Sequence, residues 1–255
     1  MSLHARTLVV SGVRRAATPA GVALFATSLV ALAAVNAAVN TVLTAAAGTP
    51  LPMGVTVAEY GVVLPVGPAA AAVVGLLALL VGAFAVVVGT RALLGASVPR
   101  WSRPSECLTH RVVPATLATL VGGVAAVAAV AFGTLFLVVP GLVVAGHLLV
   151  VPSVLAAEDR GLLAANRESW RRAAGDRVAL ATAALVLVVP AALVSVGASL
   201  SYLLPAALEF GLGVVVGAAV LSAWLGVAAE THQRLGSGST RTARASRSRR
   251  ASRAL

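Results

Sequence analysis

Long runs without a charged residue divide this chain. Asp, Glu, Lys and Arg are absent from five stretches, which are residues 16–58, 60–90, 112–157, 178–208 and 210–229. A helix needs about 20 mostly apolar residues, each rising about 1.5 Å, to cross roughly 30 Å of hydrocarbon. Every one of the five runs reaches that length, so the pattern predicts an all-α integral membrane protein.

Two of the runs are too long for a single crossing. The run 112–157 must fold back, and Pro140-Gly141 near its middle is the natural turn, because proline cannot continue a helical hydrogen-bond pattern. This predicts spans at about 114–138 and 141–157. The run 16–58 gives one span of about 18–46 before a segment rich in proline and glycine, which we interpret as an external loop.

The remaining runs supply one span each, at about 69–90, from 178 onward and at about 206–229. Pro190 lies inside the fifth span, where we expect a kink. The total is six transmembrane helices. The predicted organisation is an N-terminal segment at 1–17, a membrane domain at 18–229 and a disordered basic tail at 230–255, since the tail has almost no apolar residue with which to form a core.

Composition supports the membrane assignment. Hydrophobic residues make up 59% of the 255 residues and charged residues 11%, with a mean hydropathy of +0.98. A soluble domain carries about 25% charged residues. The single cysteine, Cys107, excludes a disulfide within the chain. No cluster of Cys and His has the spacing of a metal site, so neither a metal nor another cofactor is expected.

The basic residues indicate how the chain is threaded. All 19 are arginine, and they lie in the two terminal segments and in the loops at 91–111 and 158–177, whereas the alternate loops hold only Glu59 and Glu209. Arginine is enriched in cytoplasmic loops, so six spans with both termini cytoplasmic are predicted for a multi-pass protein of a prokaryotic cell membrane. This distribution favours anionic lipid headgroups as partners of the loops and tail, and it does not favour nucleic acid.

The segment 158–177 is the densest charged block in the chain, with five arginines and four acidic residues. On a helical wheel, one half holds the apolar residues with Trp170, and the other half holds the charges, including Glu168 and Arg172. This predicts a short amphipathic helix lying in the membrane interface between spans four and five, with Trp170 at headgroup depth. Its arginines are either a topological anchor that contacts lipid headgroups or a ligand or partner site.

The stretch VVPGLVVAGHLLVVPSVLAAEDRGLLAANRESWRRAAGDR resembles a broad group of prokaryotic multi-pass membrane proteins. That group includes the membrane domain fused to some glycerophosphodiester phosphodiesterases, together with related uncharacterised families. Its pattern is a Pro-Gly turn, a short span that ends at an acidic residue, an amphipathic segment with Ser-Trp, and Gly-Asp-Arg at the start of the next span. The matching positions are Pro140, Gly141, Glu158, Ser169, Trp170, Gly175, Asp176 and Arg177. The resemblance implies a membrane fold and no particular activity.

Three polar residues inside the predicted spans are candidates for a functional site. Asn36 and Asn40 are one turn apart in span one and either line a polar pathway or tie helices together by hydrogen bonds. His147 lies well inside span four, where an ionisable residue is a functional hypothesis in its own right. It is either part of a proton relay or a neutral histidine bonded to a neighbouring helix.

An enzyme is not expected. A phosphodiesterase barrel needs several carboxylates and histidines around a metal, and this chain has eight acidic residues and four histidines with no room for such a domain. The sequence therefore favours a non-enzymatic accessory or scaffold protein of the cell membrane. The alternative is a small transporter or channel built around Asn36, Asn40 and His147. Protein partners are left open.

Overall fold

A computed structural model describes residues 4–47, 62–95, 98, 101, 103–136, 148–158, 161–200 and 204–251. Within these ranges the regular structure is helical and no strand occurs. We number the helices in chain order as α1 (Ala5–Ala16), α2 (Pro19–Ala47), α3 (Pro68–Leu94), α4 (Pro104–Thr109), α5 (Val112–Phe136), α6 (Val151–Glu158), α7 (Leu162–Ala173), α8 (Arg177–Leu200) and α9 (Ala206–Ala251).

Within the described residues, four helices are long and apolar enough to cross a membrane. The segments with this property are Pro19–Ala46, Pro68–Leu94, Arg177–Val194 and Ala206–Leu235. They coincide with the first, second, fifth and sixth predicted spans. The apolar part of α5 at Val112–Ala126 is shorter. Pro140, Gly141 and the first part of the predicted fourth span, up to residue 147, lie outside the described residues, so the count of six stays a prediction.

Proline marks where several helices begin. Pro19, Pro68 and Pro104 each occupy the first helical position, where the missing N–H would have had no partner within the helix. Between α1 and α2 the chain turns over only two residues, and the hydroxyl of Thr18 donates to the carbonyl of Arg15 at 2.7 Å. This turn places the start of α2 beside the end of α1.

Helices α2 and α3 form an antiparallel pair with small residues along their contact. The contact recurs every seven residues on both helices, which is the spacing of helices that cross at a shallow angle. At each repeat a glycine of α3 faces a residue of α2, because a Cβ on that glycine would lie within 2.8–3.5 Å of the facing side chain. The facing pairs are Gly75 with Ala38, Gly82 with Ala31, and Gly89 with Leu24.

The N-terminal segment, which the sequence suggested only as a cytoplasmic extension, contains a packed helix. Leu8 and Gly12 of α1 are buried. Gly12 lies against α9, since a Cβ on it would be 2.6 Å from both the N and the Cα of Val227. On the opposite side of the contact, a Cβ on Gly226 would collide with the carbonyl oxygen of Gly12. The two backbones therefore touch, and only glycine permits this approach.

The tail also differs from its prediction. Disorder was expected from residue 230, yet α9 continues as a helix to Ala251. Thr231 is fully buried, and its hydroxyl donates to the carbonyl of Val227 at 2.8 Å. Glu230 accepts from Arg15 of α1 at 3.0 Å, and Arg234 donates to the hydroxyl of Ser11 of α1 at 3.3 Å. The prediction was wrong at the start of this segment because its polar side chains find partners on α1, which a search for an apolar core does not detect.

The core lies towards the end of the bundle where the charged segments meet. One buried cluster joins α1, α6 and α8 to α9 through Leu8, Val154, Leu180 and Val227. A second joins α2 and α3 to α9 through Leu24, Leu94 and Leu225. Trp224 packs against both clusters. In contrast, α3 exposes many apolar side chains further from this end. These include Val73, Leu76, Leu77 and Val81.

The contact between α1 and α9 can be tested with Gly12→Ala. We expect a loss of about 1–3 kcal/mol in the free energy of unfolding, because the added methyl group meets backbone atoms of Val227, which cannot rotate away. The measurement is thermal or denaturant unfolding of the purified protein in detergent.

Gly123→Ala is the matched control, since a Cβ there meets nothing within 4 Å. Its helix should be unchanged or slightly more stable, because alanine has the higher helix propensity. Equal stability of the two variants would show that α1 does not pack against α9 as described.

Candidate functional site

Charged side chains from distant parts of the sequence meet at one end of the bundle. Arg15, near the end of α1, donates to the carbonyl of Leu93 at 2.6 Å. Its second terminal nitrogen donates to Glu230 at 3.0 Å and to Gln233 at 2.7 Å. Arg234 donates to the other oxygen of Glu230 at 2.8 Å. These bonds join α1, α3 and α9 at the end that carries the arginine-rich segments.

A second network joins α6, α7 and α9. Arg172 lies at its centre, with its guanidinium 2.6 Å from Glu158 and 2.6 Å from Glu168. A nitrogen of Arg172 also lies 3.4 Å from Nδ1 of His232. Arg171 adds two bonds to Glu168, at 3.0 and 2.6 Å, in the bidentate geometry that favours guanidinium–carboxylate pairs. Two acids and two arginines thus neutralise one another where three helices meet.

Glu168 is the most perturbed carboxylate of this network. Only 6% of its side chain is exposed. The hydrogen bonds from Arg171, together with the bond and the positive charge of Arg172, lower its pKa from 4.5 to about 2, although burial acts in the opposite direction. Glu168 is therefore ionised at every physiological pH, and it serves as a fixed negative charge rather than as a proton donor.

Arg91 at the end of α3 is fully buried. Its Nε donates to the carbonyl of Ala156 at 3.2 Å, and one terminal nitrogen donates to the carbonyls of Cys107 and His110 at 3.2 and 2.8 Å. The guanidinium also lies over the ring of Trp101, 4.5 Å from its centroid. Cys107 and Ala156 lie in the last turns of α4 and α6, and His110 is the residue directly after α4. Backbone oxygens at helix C-terminal ends accept bonds from a cation favourably.

Helix α7 is rotated relative to its predicted orientation. The wheel placed Glu168 and Arg172 on a water-facing half and Trp170 with the apolar half. In the structure Glu168 turns inward with Ala165 and Ser169, whereas Leu163 is 84% and Trp170 41% exposed. The prediction of the helix and of the Glu168–Arg172 pair is confirmed. The predicted orientation of Glu168 and Arg172 was wrong because Arg172 pairs with Glu158 at the end of α6, whereas Arg171 stays exposed.

The described residues among the matching positions of the family resemblance lie at the arginine-rich end of the bundle. Ser169 is fully buried, and Glu158 ends α6. The C-cap residue of α7 is Ala174, whose N–H bonds to the carbonyl of Arg171, and Gly175 follows it. Asp176 precedes α8, as predicted, and its carbonyl accepts from the N–H of Leu180 at 3.1 Å. Arg177 is the first residue of α8.

The predicted intramembrane polar site is only partly described, because His147 lies outside the described residues. Asn36 is exposed, and its side-chain amide donates to the carbonyl of Leu32 in its own helix at 2.8 Å. Asn40 donates to the carbonyl of Val62, before α3, at 3.1 Å. The neighbouring Thr41 accepts from the N–H of Leu64 at 2.7 Å. These bonds fasten α2 to the start of α3, at the end of the bundle opposite the arginines.

Sequence reasoning missed the roles of Arg91, Glu230 and His232. Arg91 was counted only as a loop charge, although a lone arginine directly after an apolar run, followed by Trp101, is a signal for a buried cation. Glu230, Gln233 and Arg234 recur at the spacing of one helix face, which indicates that the helix continues. The partner of each residue lies far away in the sequence, and no local pattern identifies it.

Among the residues that the structure describes, no three side chains of His, Cys, Asp or Glu come together as they would to hold a metal ion. Cys107 is buried, its thiol donates to the carbonyl of Trp101 at 3.4 Å, and burial raises its pKa. It is accordingly placed as a packing residue rather than as a reactive thiol.

No protein-family model, curated protein or solved structure matches the chain.

The network around Glu168 predicts a pH dependence of stability. Because the folded-state pKa of about 2 lies below the ordinary value of 4.5, the stabilisation is fully present above pH 4.5 and is lost as the pH falls towards 2. Glu168→Gln should cost on the order of 3 kcal/mol at pH 7 and remove this part of the pH profile. The measurement is denaturant unfolding between pH 3 and pH 7.

The matched control is Glu106→Gln, because Glu106 is 35% exposed and pairs at 3.5 Å with Arg103, which is 78% exposed. An exposed pair contributes less than about 1 kcal/mol, so this variant should keep the wild-type profile. A Glu168→Gln variant as stable as the wild type at pH 7 would contradict the assignment of Glu168 as an ionised residue that stabilises the fold.

Proposed function

We propose that the chain is a six-span integral protein of a prokaryotic cell membrane, with both termini cytoplasmic, and that it acts there as a non-enzymatic accessory or scaffold protein. One observation carries the proposal. The arginine-bearing ends of α1, α3, α7 and α9 form one layer of paired charges at a single end of the bundle, through bonds that join residues 60–215 positions apart in the sequence.

The positions of the helix ends support three out-and-back hairpins. Helix α2 starts two residues after α1, and α3 returns to Leu93, whose carbonyl Arg15 contacts. Helix α5 starts after Arg111, and α6 ends at Glu158, which pairs with Arg172. Helix α8 starts at Arg177, and α9 returns to Glu230, which also pairs with Arg15. Each hairpin leaves from and returns to the arginine-rich end, as an even number of spans requires.

The surface of α7 supports a location at the membrane interface. Its outward face combines Leu163 and Trp170 with Arg171, whose side chain is 77% exposed. Tryptophan favours the headgroup region of a bilayer, and a neighbouring arginine favours anionic headgroups. In the proposed arrangement the inward face of the helix is held by Arg172, and the outward face contacts lipid.

The state of the acidic residues favours a scaffold over an enzyme. A general acid or base needs a pKa near the working pH and access to a substrate. Glu158, Glu168 and Glu230 are each bonded to arginine, and the pKa of Glu168 is held at about 2. Their role in this proposal is to hold the helix ends in register.

Topology can be tested by labelling single cysteines, starting from Cys107→Ser, which removes the one native thiol. Gly67→Cys and Leu204→Cys, which directly precede or lie close to the starts of α3 and α9, report on the far end of the bundle. Ser105→Cys and Gly161→Cys report on the arginine-rich end. All four positions are exposed. In intact cells a membrane-impermeant maleimide should label only the first two, and all four should react after permeabilisation. Labelling of Gly161→Cys in intact cells would contradict the proposed orientation.

A scaffold protein should not conduct protons across the membrane. We expect proteoliposomes containing the purified chain to hold a proton gradient as long as protein-free liposomes do, measured with an entrapped pH-sensitive dye. A leak that His147→Ala or Asn40→Ala abolishes would instead establish the transporter alternative. Leu193→Ala, at a 67% exposed apolar position of α8, is the control for effects of reconstitution.

A further inference from the structure

An open groove lies at the arginine-rich end, between the start of α1 and the connection from α7 to α8. Its volume is about 560 Å³. The residues that line it are His4, Ala5, Arg6, Ala174, Gly175, Asp176, Arg177, Val178 and Ala179. The groove thus brings the N-terminal turns of two helices and two arginines from opposite parts of the chain to the same opening.

The two arginines of the groove are not used to hold the fold together. Arg15, Arg171, Arg172 and Arg234 each bond to a carboxylate. Across the described part of the chain, Arg6 and Arg177 make no such bond, and both are exposed. Their guanidinium groups are therefore available to a ligand without the loss of any described contact.

The net charge of the side chains that line the groove suits a ligand with one negative charge. Arg6 and Arg177 contribute two positive charges and Asp176 one negative charge, so these three side chains sum to +1. The helix ends add to this potential. The first turns of α1 and α8 contain no acidic residue, and the side chain of His4 does not cap the N–H groups of α1. A phosphodiester carries one negative charge and accepts bonds from guanidinium and backbone N–H groups.

The surroundings of the groove identify the source of the phosphodiester. Val178, one residue into α8, is 81% exposed at the edge of the groove. If α8 enters the bilayer here, acyl chains lie against Val178 while the headgroup lies beside Arg6 and Arg177. We infer that the groove between α1 and α8 is a binding site for the headgroup phosphate of a membrane phospholipid. This inference rests on the proposed function, because it needs this end of the bundle at the membrane surface.

The inference can be tested by native mass spectrometry of the purified full-length chain in non-ionic detergent, titrated with dioleoyl phosphatidylglycerol. The double variant Arg6→Gln/Arg177→Gln should raise the apparent Kd of the first bound lipid by about tenfold or more, since both charged donors are lost. The control is Arg14→Gln/Arg167→Gln. It removes the same charge from two exposed arginines outside the groove that make no ion pair in the described structure, and should change the Kd by less than about twofold.

A second pair of variants tests the groove without changing charge. Gly175 lines the groove, and a Cβ on it meets nothing within 4 Å, so Gly175→Leu fills the opening without distorting the backbone. Gly161→Leu is the matched control, because a Cβ there is equally unhindered and lies outside the groove. Only Gly175→Leu should weaken lipid binding. Unfolding temperatures close to the wild-type value for all variants would show that the fold is intact.

Three outcomes overturn the inference. Equal weakening by the two double variants would mean that lipid binds by diffuse attraction to the whole basic surface. Unchanged binding in both Arg6→Gln/Arg177→Gln and Gly175→Leu would mean that the groove is not used. Full displacement of the lipid by millimolar inorganic phosphate would mean that the site takes free phosphate. None of these results depends on which side of the membrane the groove faces, so cysteine labelling can disprove the proposed topology independently.

Discussion

The guanidinium of Arg172 holds together the end of the bundle on which the rest of the structure depends. It contacts Glu158 at the end of α6, Glu168 within α7 and His232 on α9. Apolar packing alone gives little preference among helices in a bilayer, because lipid tails are as apolar as the helix surfaces. Specific bonds at the helix ends can therefore decide which helices are neighbours, and in this chain Arg172 and Arg15 provide them between segments far apart in sequence.

Close backbone contacts complement these ion pairs. Gly75, Gly82 and Gly89 let α3 lie close to α2 over three successive repeats, and Gly12 lets α1 touch the backbone of α9. Close approach increases dispersion contacts, which remain favourable in an apolar solvent. The glycines hold the helices along their length, and the arginines hold them at one end.

The sequence predicts the long helices well, for a physical reason. A charged side chain inside hydrocarbon is costly, so runs without charge mark the long apolar helices directly. The limits of α2 and α3 lie close to the predicted ones. The packing of α1, the inward turn of Glu168 and the continuation of α9 past residue 230 were not predicted. Each of these three features depends on contacts with another helix, as in the pairing of Arg15 with Glu230. The hydropathy of a segment contains no information on such partners.

The arginines of this chain have two physically different roles. Some are buried or bonded within the fold, and others are exposed, although all of them carry the same charge. Arg91 is desolvated, and its burial is tolerated only because carbonyls of α4 and α6 and the ring of Trp101 replace water around it. Arg6 and Arg177 remain exposed. A buried arginine fixes the arrangement of helices, whereas an exposed one keeps its charge available to the surroundings. The one-sided distribution of arginine that predicts the orientation of the chain in a membrane thereby also supplies the bonds that hold the helix ends together and, in our proposal, the cations that bind a phosphate.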